Sequence, residues 1–226
     1  MTPADPVPKR LKIAVLISGR GSNMEALIAA CADPAFPAEI ALVLSNRADA
    51  AGLDKAAKAG IATAVIDHKA FKGRAAFEDV LHARLVAAGV ELICLAGFMR
   101  LLTAGFVERW RDRMINIHPS ILPAFKGLDT HARVLALGGR LHGCTVHFVR
   151  PEMDAGPIIM QAAVPVLPED SEEALAARVL TQEHVIYPQA LRLVAEGRAV
   201  VEGDRVMLRN SATPETAETA LISPVP

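Results

Sequence analysis

A doubly wound α/β domain, with a mainly parallel sheet and an antiparallel C-terminal portion, is the fold class this sequence predicts. Two observations predict it. Over the first hundred residues, short continuous apolar runs alternate with Ala-rich segments of helical length, the pattern of strands covered on both faces. Beyond residue 140, two longer apolar runs flank one polar turn, the pattern of an antiparallel pair.

Taken in order, Lys12 to Ile17 reads as a buried strand, and a helix follows from Ser22 through about Ala32. Ile40 to Leu44 is a second strand, and Ala50 to Ala59 a helix stopped by Gly60. Ala62 to Ile66 is a third strand, Lys72 to Ala88 a long helix stopped by Gly89, and Leu92 to Ala96 a fourth strand. After Met114 the rhythm changes. Leu141 to Val149 and Ile158 to Val166 read as two strands of a hairpin. Ser171 to Ala195 forms a long helix, with Ser171 as N-cap and Glu172 and Glu173 favouring its positive end. Pro188 is expected to kink or break it. Ala199 to Met207 reads as a small terminal hairpin turning at Gly203-Asp204.

The 226 residues carry 24 Lys+Arg against 25 Asp+Glu and are 52% hydrophobic. This length predicts a single domain over residues 11–208, with a disordered leader at 1–10 and a disordered tail at 209–226. A net charge of -1 gives no electrostatic basis for a nucleic-acid partner. Cys31, Cys94 and Cys144 are scattered, and no Cys/His group has metal-ligand spacing, so no metal is expected. The apolar run from Ile13 to Ile17 is too short to span a bilayer, and no signal-peptide pattern precedes it. A reduced, cytoplasmic protein with no membrane partner, monomeric or homodimeric, is the expectation.

Ser18-Gly19-Arg20-Gly21-Ser22-Asn23 lies between the first strand and the first helix. Glycines let backbone N–H groups approach an anion, and a helix N-terminus adds partial positive charge. A dinucleotide fingerprint would need a small residue where Met24 stands and an acid where Ser45-Asn46-Arg47 stands; a Walker A ending is absent. A single phosphate therefore fits best. The alternatives are a glycine turn that only packs strand on helix, with Ser22 merely an N-cap.

Gly97-Phe98-Met99-Arg100-Leu101-Leu102 follows the fourth strand, where ligands of open α/β sheets gather. Apolar side chains beside one Arg suit a flat heterocycle with an anionic tail; an ordinary helix entry with a surface Arg is the alternative.

Asn116-Ile117-His118-Pro119-Ser120, together with Asp154, is the most chemical part of the chain. Asn116 and His118, two apart on a strand end after Arg113-Met114-Ile115, share one face. Amide, imidazole and carboxylate are what an oxyanion and a proton transfer at a carbonyl-like carbon require. A His beside Pro that only makes structural hydrogen bonds is the competing reading, and the Gly/Pro-rich turn holding Asp154 weighs against it. His142 and His147, five apart on one strand, fall on opposite faces and read as core or surface histidines.

The ordered set Gly19-Arg20-Gly21-Ser22-Asn23, Ala96-Gly97-Phe98-Met99-Arg100, Asn116-Ile117-His118-Pro119-Ser120, His142-Gly143 and Asp154-Ala155-Gly156-Pro157-Ile158 resembles the phosphoribosylglycinamide formyltransferase family, from about Lys12 to about Met207. The resemblance implies a Rossmann-like formyltransferase fold. It also implies transfer of a formyl group from the cosubstrate 10-formyltetrahydrofolate to glycinamide ribonucleotide in purine (IMP) biosynthesis. It divides the domain into a phosphate-binding half at about 11–110 and a folate-binding and catalytic half at about 111–208.

Carried over by position, the resemblance implies catalytic roles for Asn116, His118 and Asp154. It implies ribonucleotide contacts at Gly21, Ser22, Asn23, Thr181, Gln182 and Glu183. Folate contacts are implied at Arg74, Met99, Arg100, Leu101, Leu102, Asn116, Arg150, Pro151, Glu152, Met153 and Asp154. In this scheme Asn116 and a protonated His118 stabilise the oxyanion, while Asp154 favours imidazolium and orders a proton-carrying water. Ile121 replaces the family's usual Leu, and Ala155 its usual Gly, which matters only if that position needs a positive φ. A formyltetrahydrofolate hydrolase and methionyl-tRNA formyltransferase share this logic. They are disfavoured by the short leader and by the short tail without basic surplus. A non-catalytic phosphosugar-binding module would have no use for Asn116, His118 and Asp154 together.

Overall fold

The structure, a computed structural model, describes residues 9–210. The leader and tail expectations for residues 1–8 and 211–226 lie outside the described residues. Lys9 and Arg10, assigned to the leader, are tied down. Arg10 donates hydrogen bonds to the carbonyls of Cys31, Phe36 and Ala38, and Lys9 pairs with Glu91 at 2.8 Å. Arg209, assigned to the tail, donates its N–H to the Arg198 carbonyl.

The first half alternates β1 (Leu11–Ile17), α1 (Ser22–Cys31), β2 (Ala38–Ser45), α2 (Gly52–Lys58), β3 (Thr63–Val65), α3 (Arg74–Ala87) and β4 (Leu92–Leu95). A short 3-10 turn, His68–Ala70, precedes α3. There follow α4 (Ala104–Arg109), β5 (Met114–His118), α5 (Thr130–Ala136), β6 (Leu141–Phe148), β7 (Ile158–Pro165), α6 (Glu172–Ala195), β8 (Ala199–Glu202) and β9 (Arg205–Leu208). The helices α4 and α5 have no counterpart in the sequence reading.

One seven-stranded sheet runs β3-β2-β1-β4-β5-β6-β7, and β8-β9 form a separate antiparallel pair. β3 through β5 are mutually parallel, whereas β6 pairs antiparallel with both β5 and β7. Strand alternation splits the core in two. Ile13, Val15 and Ile17 pack on one face with Leu27, Val179 and Tyr187; Ala14 and Leu16 pack on the other with Phe77, Leu81 and Trp110. This two-sided burial is why the parallel strands read as continuous apolar runs.

Chain order reverses between β1 and β4, so the loops at their carboxyl ends flank a crevice. α6 crosses behind that crevice, and the fully buried Tyr187 hydroxyl donates to the Leu95 carbonyl at 2.9 Å. Ser171 caps α6 by accepting the Ala174 N–H at 3.2 Å. Of the kink or break expected at Pro188, the break does not occur: the helix runs through 24 residues. An interior Pro, which removes one hydrogen bond and crowds the carbonyl four residues back, costs about 3 kcal/mol. The buried stripe of Leu175, Val179, Ile186, Tyr187, Ala190 and Leu191 outweighs that.

Candidate active site

Gly21, not Ser22, occupies the N-cap of α1, with φ 72° and ψ 31°. A Cβ there would lie 3.1 Å from the Gly52 Cα, so both backbone conformation and close packing call for glycine. Ser22 is the first helical residue and not the cap. Asn23 is held from afar: its Nδ2 donates to Glu183 Oε2 at 2.6 Å across 160 residues of sequence. Glu183 is buried, which raises its pKa, and the bond from Asn23 opposes that rise. Asn23 Oδ1 is buried without a partner. Thr181 is exposed and its hydroxyl donates to the Ala177 carbonyl; Gln182 is half-buried. Of the three, Glu183 is the one joined to the glycine loop.

Beyond β4, Met99 and Leu101 stand 63% exposed, two of the most exposed large apolar side chains of the described residues. Arg74, at the start of α3, and Arg100 line one cavity of about 150 Å³ with His68, Phe71, Gly73 and Phe77. Two guanidinium groups beside two aromatic rings suit an anionic tail attached to a flat group.

The catalytic candidates meet. Asn116 and His118 share a face of β5, and β6 puts His147 directly opposite Asn116. The 149–157 loop brings the Asp154 carboxylate back to this face, with Oδ2 3.4 Å from His118 Nδ1. His118 and Asp154 side chains are only 7% and 11% exposed. Asp154 Oδ2 also accepts the Gly127 N–H at 2.9 Å. His118 Nε2 lies 3.0 Å from the Phe125 carbonyl, which only accepts, so Nε2 carries a hydrogen.

Phe125 and Asp154, which flank the imidazole, both have positive φ, 54° and 50°. Backbone strain of this kind gathers at functional sites. Ala155 is not among the positive-φ residues, so the Gly usual in the family is not required there. Gly156 is required: a Cβ would sit 1.6 Å from the Phe148 carbonyl oxygen.

His147 is the site residue that sequence reading passed over. It lies on the face opposite to His142, as expected, but its ring points into the cluster. Its Nδ1–H donates to the Phe148 carbonyl at 2.9 Å, and its Nε2 accepts the Asn116 amide at 3.3 Å. Burial lowers its pKa, in keeping with a neutral acceptor. That bond fixes which way the Asn116 amide faces and leaves its second N–H for a ligand. The cross-strand register of Asn116 with His147 would have revealed the contact, but it depends on pairing across 31 residues.

The remaining folate candidates sit on the rim. Arg150 is turned inward, with its guanidinium on Asp112 at 2.6 Å and on the Val149 carbonyl, and its side chain is 10% exposed. Pro151, Glu152 and Met153 are exposed, and Glu152 pairs with Lys126 at 3.1 Å. Among the described residues, no three His, Cys, Asp or Glu side chains are grouped as metal ligands, and no helix is long and apolar enough to cross a membrane.

Under the His118 loop, His142 and His131 stand edge to face, His142 Nε2 lying 3.2 Å from His131 Nδ1. Burial, then the neighbouring His131, lowers the His142 pKa from 6.5 to about 4. Between those values the unfolded chain binds a proton that the folded site refuses, so stability is lost as pH drops through that window. Thermal melts from about pH 7 down to about pH 5 are expected to show a falling Tm. His142→Gln should flatten the trend; an equal slope in the variant would assign it elsewhere.

Residues 11–191 match the family model described as formyl transferase. Over 205 residues the chain is 44% identical to phosphoribosylglycinamide formyltransferase of Haemophilus influenzae, covering 91% of this chain and 97% of that protein. It is 53% identical over 190 residues to the trifunctional purine biosynthetic protein adenosine-3 of Bos taurus, covering 84% of this chain and 19% of that protein. The chain thus spans 14–19% of the length of the trifunctional relatives it matches. Among solved structures, glycinamide ribonucleotide transformylase 1 from Symbiobacterium toebii superposes with a TM-score of 0.86 at 49% identity, covering 88% of this chain and 94% of that one.

Proposed function

The chain belongs to the formyl transferase family, and we propose that it transfers the formyl group of 10-formyltetrahydrofolate to the amine of N1-(5-phosphoribosyl)glycinamide, releasing tetrahydrofolate, in purine (IMP) biosynthesis. The observation that carries this reading is the meeting of Asn116, His118 and Asp154 on one face beside the switch-point crevice. Relatives matched over nearly their whole length are phosphoribosylglycinamide formyltransferases, which supports the choice of acceptor. A cytoplasmic location belongs to the same reading.

In this mechanism the substrate amine attacks the formyl carbon, and the carbonyl electrons move onto oxygen. The free N–H of Asn116 and Nδ1 of His118 would donate to that oxygen, more strongly in the transition state than in the ground state. With Nε2–H committed to Phe125, Nδ1 can donate only from a doubly protonated ring, and the Asp154 carboxylate 3.4 Å away would be the counter-charge of that ring. Collapse of the intermediate breaks the bond from carbon to the folate nitrogen. A water ordered by Asp154 would carry the proton from attacking to leaving nitrogen. The phosphate would rest on Gly21, Ser22 and Asn23 at the start of α1, with Glu183 bracing Asn23 from behind. Arg74 and Arg100 would take the acidic end of the folate, and Met99 to Leu102 its flat ring.

The test mixes pure protein with 10-formyl-5,8-dideazafolate, with and without glycinamide ribonucleotide, and follows deformylation. Turnover only in the complete mixture is expected. Equal turnover without the ribonucleotide would make the protein a hydrolase, and silence in both would leave a binding module.

A further inference from the structure

We infer that Ser18 is a positioning residue for the formyl donor, although it stands at the root of the loop assigned to the other substrate. The inference rests on the reading that residues 99–102 carry the folate. Ser18 is 7% exposed, directly after β1. Its hydroxyl donates to Asn46 Oδ1 at 2.5 Å and accepts the Met99 N–H at 2.8 Å. Asn46, 2% exposed at the end of β2, in turn contacts His68 Nδ1 at 3.1 Å, and His68 lines the cavity with Arg74 and Arg100.

One hydroxyl therefore joins the carboxyl ends of β1, β2 and β4. Its value lies in how little else holds the segment after β4. Ala96 N–H donates to Leu16 O at the entry, and Thr103 N–H donates to the buried Glu78 carboxylate at the exit. Between them, Arg100 N–H bonds only within the segment, to Phe98 O. Among the described residues, Met99 N–H to Ser18 is the one hydrogen bond from this stretch to the rest of the protein, assisted by the buried Phe98 ring. Met99 and Leu101 offer their exposed side chains from that tether.

Removing the hydroxyl strands the Met99 N–H and Asn46 Oδ1 together, and the segment must then be ordered by the ligand itself. That cost falls on folate binding and not on the chemical step. Ser18→Ala is expected to raise the KM for 10-formyl-5,8-dideazafolate about tenfold, with kcat and the ribonucleotide KM within about twofold of wild type. Ser18→Thr, which keeps a hydroxyl, should return most of the loss. Calorimetric titration with the same analogue reads the effect without turnover, and melting curves check that the variants fold.

A rise confined to the ribonucleotide KM, or a lowered Tm with both KM values unchanged, would overturn the assignment. Wild-type protein that binds the analogue but transfers no formyl group would sink the functional reading. The titration arm would still decide the role of Ser18.

Discussion

His118→Ala is expected to lower kcat by about 10²–10³ with both substrates saturating, the loss typical of one oxyanion donor. Among the catalytic candidates, His118 is held on both sides of its ring. Pro119 follows it, the Phe125 carbonyl holds one nitrogen, and the Asp154 carboxylate faces the other. Its side chain is buried, so truncation also leaves a small void and a modest fall in Tm. The two effects separate in the kinetics, because a void alone does not act on kcat with both sites filled. A kcat within about tenfold of wild type would remove His118 from the chemistry.

Asp154→Asn should cost about 10² or more in kcat, for loss of both the counter-charge and the proton path. Asn is the informative substitution at this position. Residue 154 sits at φ 50°, a conformation that Asp and Asn tolerate better than other side chains with a Cβ. An amide oxygen can still accept the Gly127 N–H, so the loop keeps its anchor. Asp154→Ala would mix lost chemistry with a strained backbone. If Asp154→Asn turns over at a near-normal rate, the carboxylate charge has no part in the reaction, and His118 must be assisted in another way.

Much of the fold and the centre of the site could be read from the residues because they rest on local signals. Strands buried on both faces are continuous apolar runs, and glycines at Gly60 and Gly89 end helices in the left-handed region the structure gives them. Asn116 and His118 follow from strand periodicity. What escaped was either short or non-local. α4 and α5 have six and seven residues and lack an Ala-rich run like that of residues 50–59, which marked the equally short α2. Pro188 was weighed by its local effect, whereas the helix around it is decided by tertiary packing. His147 was judged on its own strand, but its role is set by the strand beside it. The pairing of Arg150 with Asp112, itself at φ 56°, joins residues 38 apart and left no local signal.

The bridge from Asn23 to Glu183 bears on how the molecule is made. During synthesis the amino-terminal strands can pair long before residue 183 has left the ribosome tunnel, yet the cradle at the start of α1 lacks its brace until α6 docks. A chain ending before α6 would leave Asn23 Nδ2 without its carboxylate partner. The cradle at the start of α1 is therefore completed only when α6 is in place, 160 residues further along the chain.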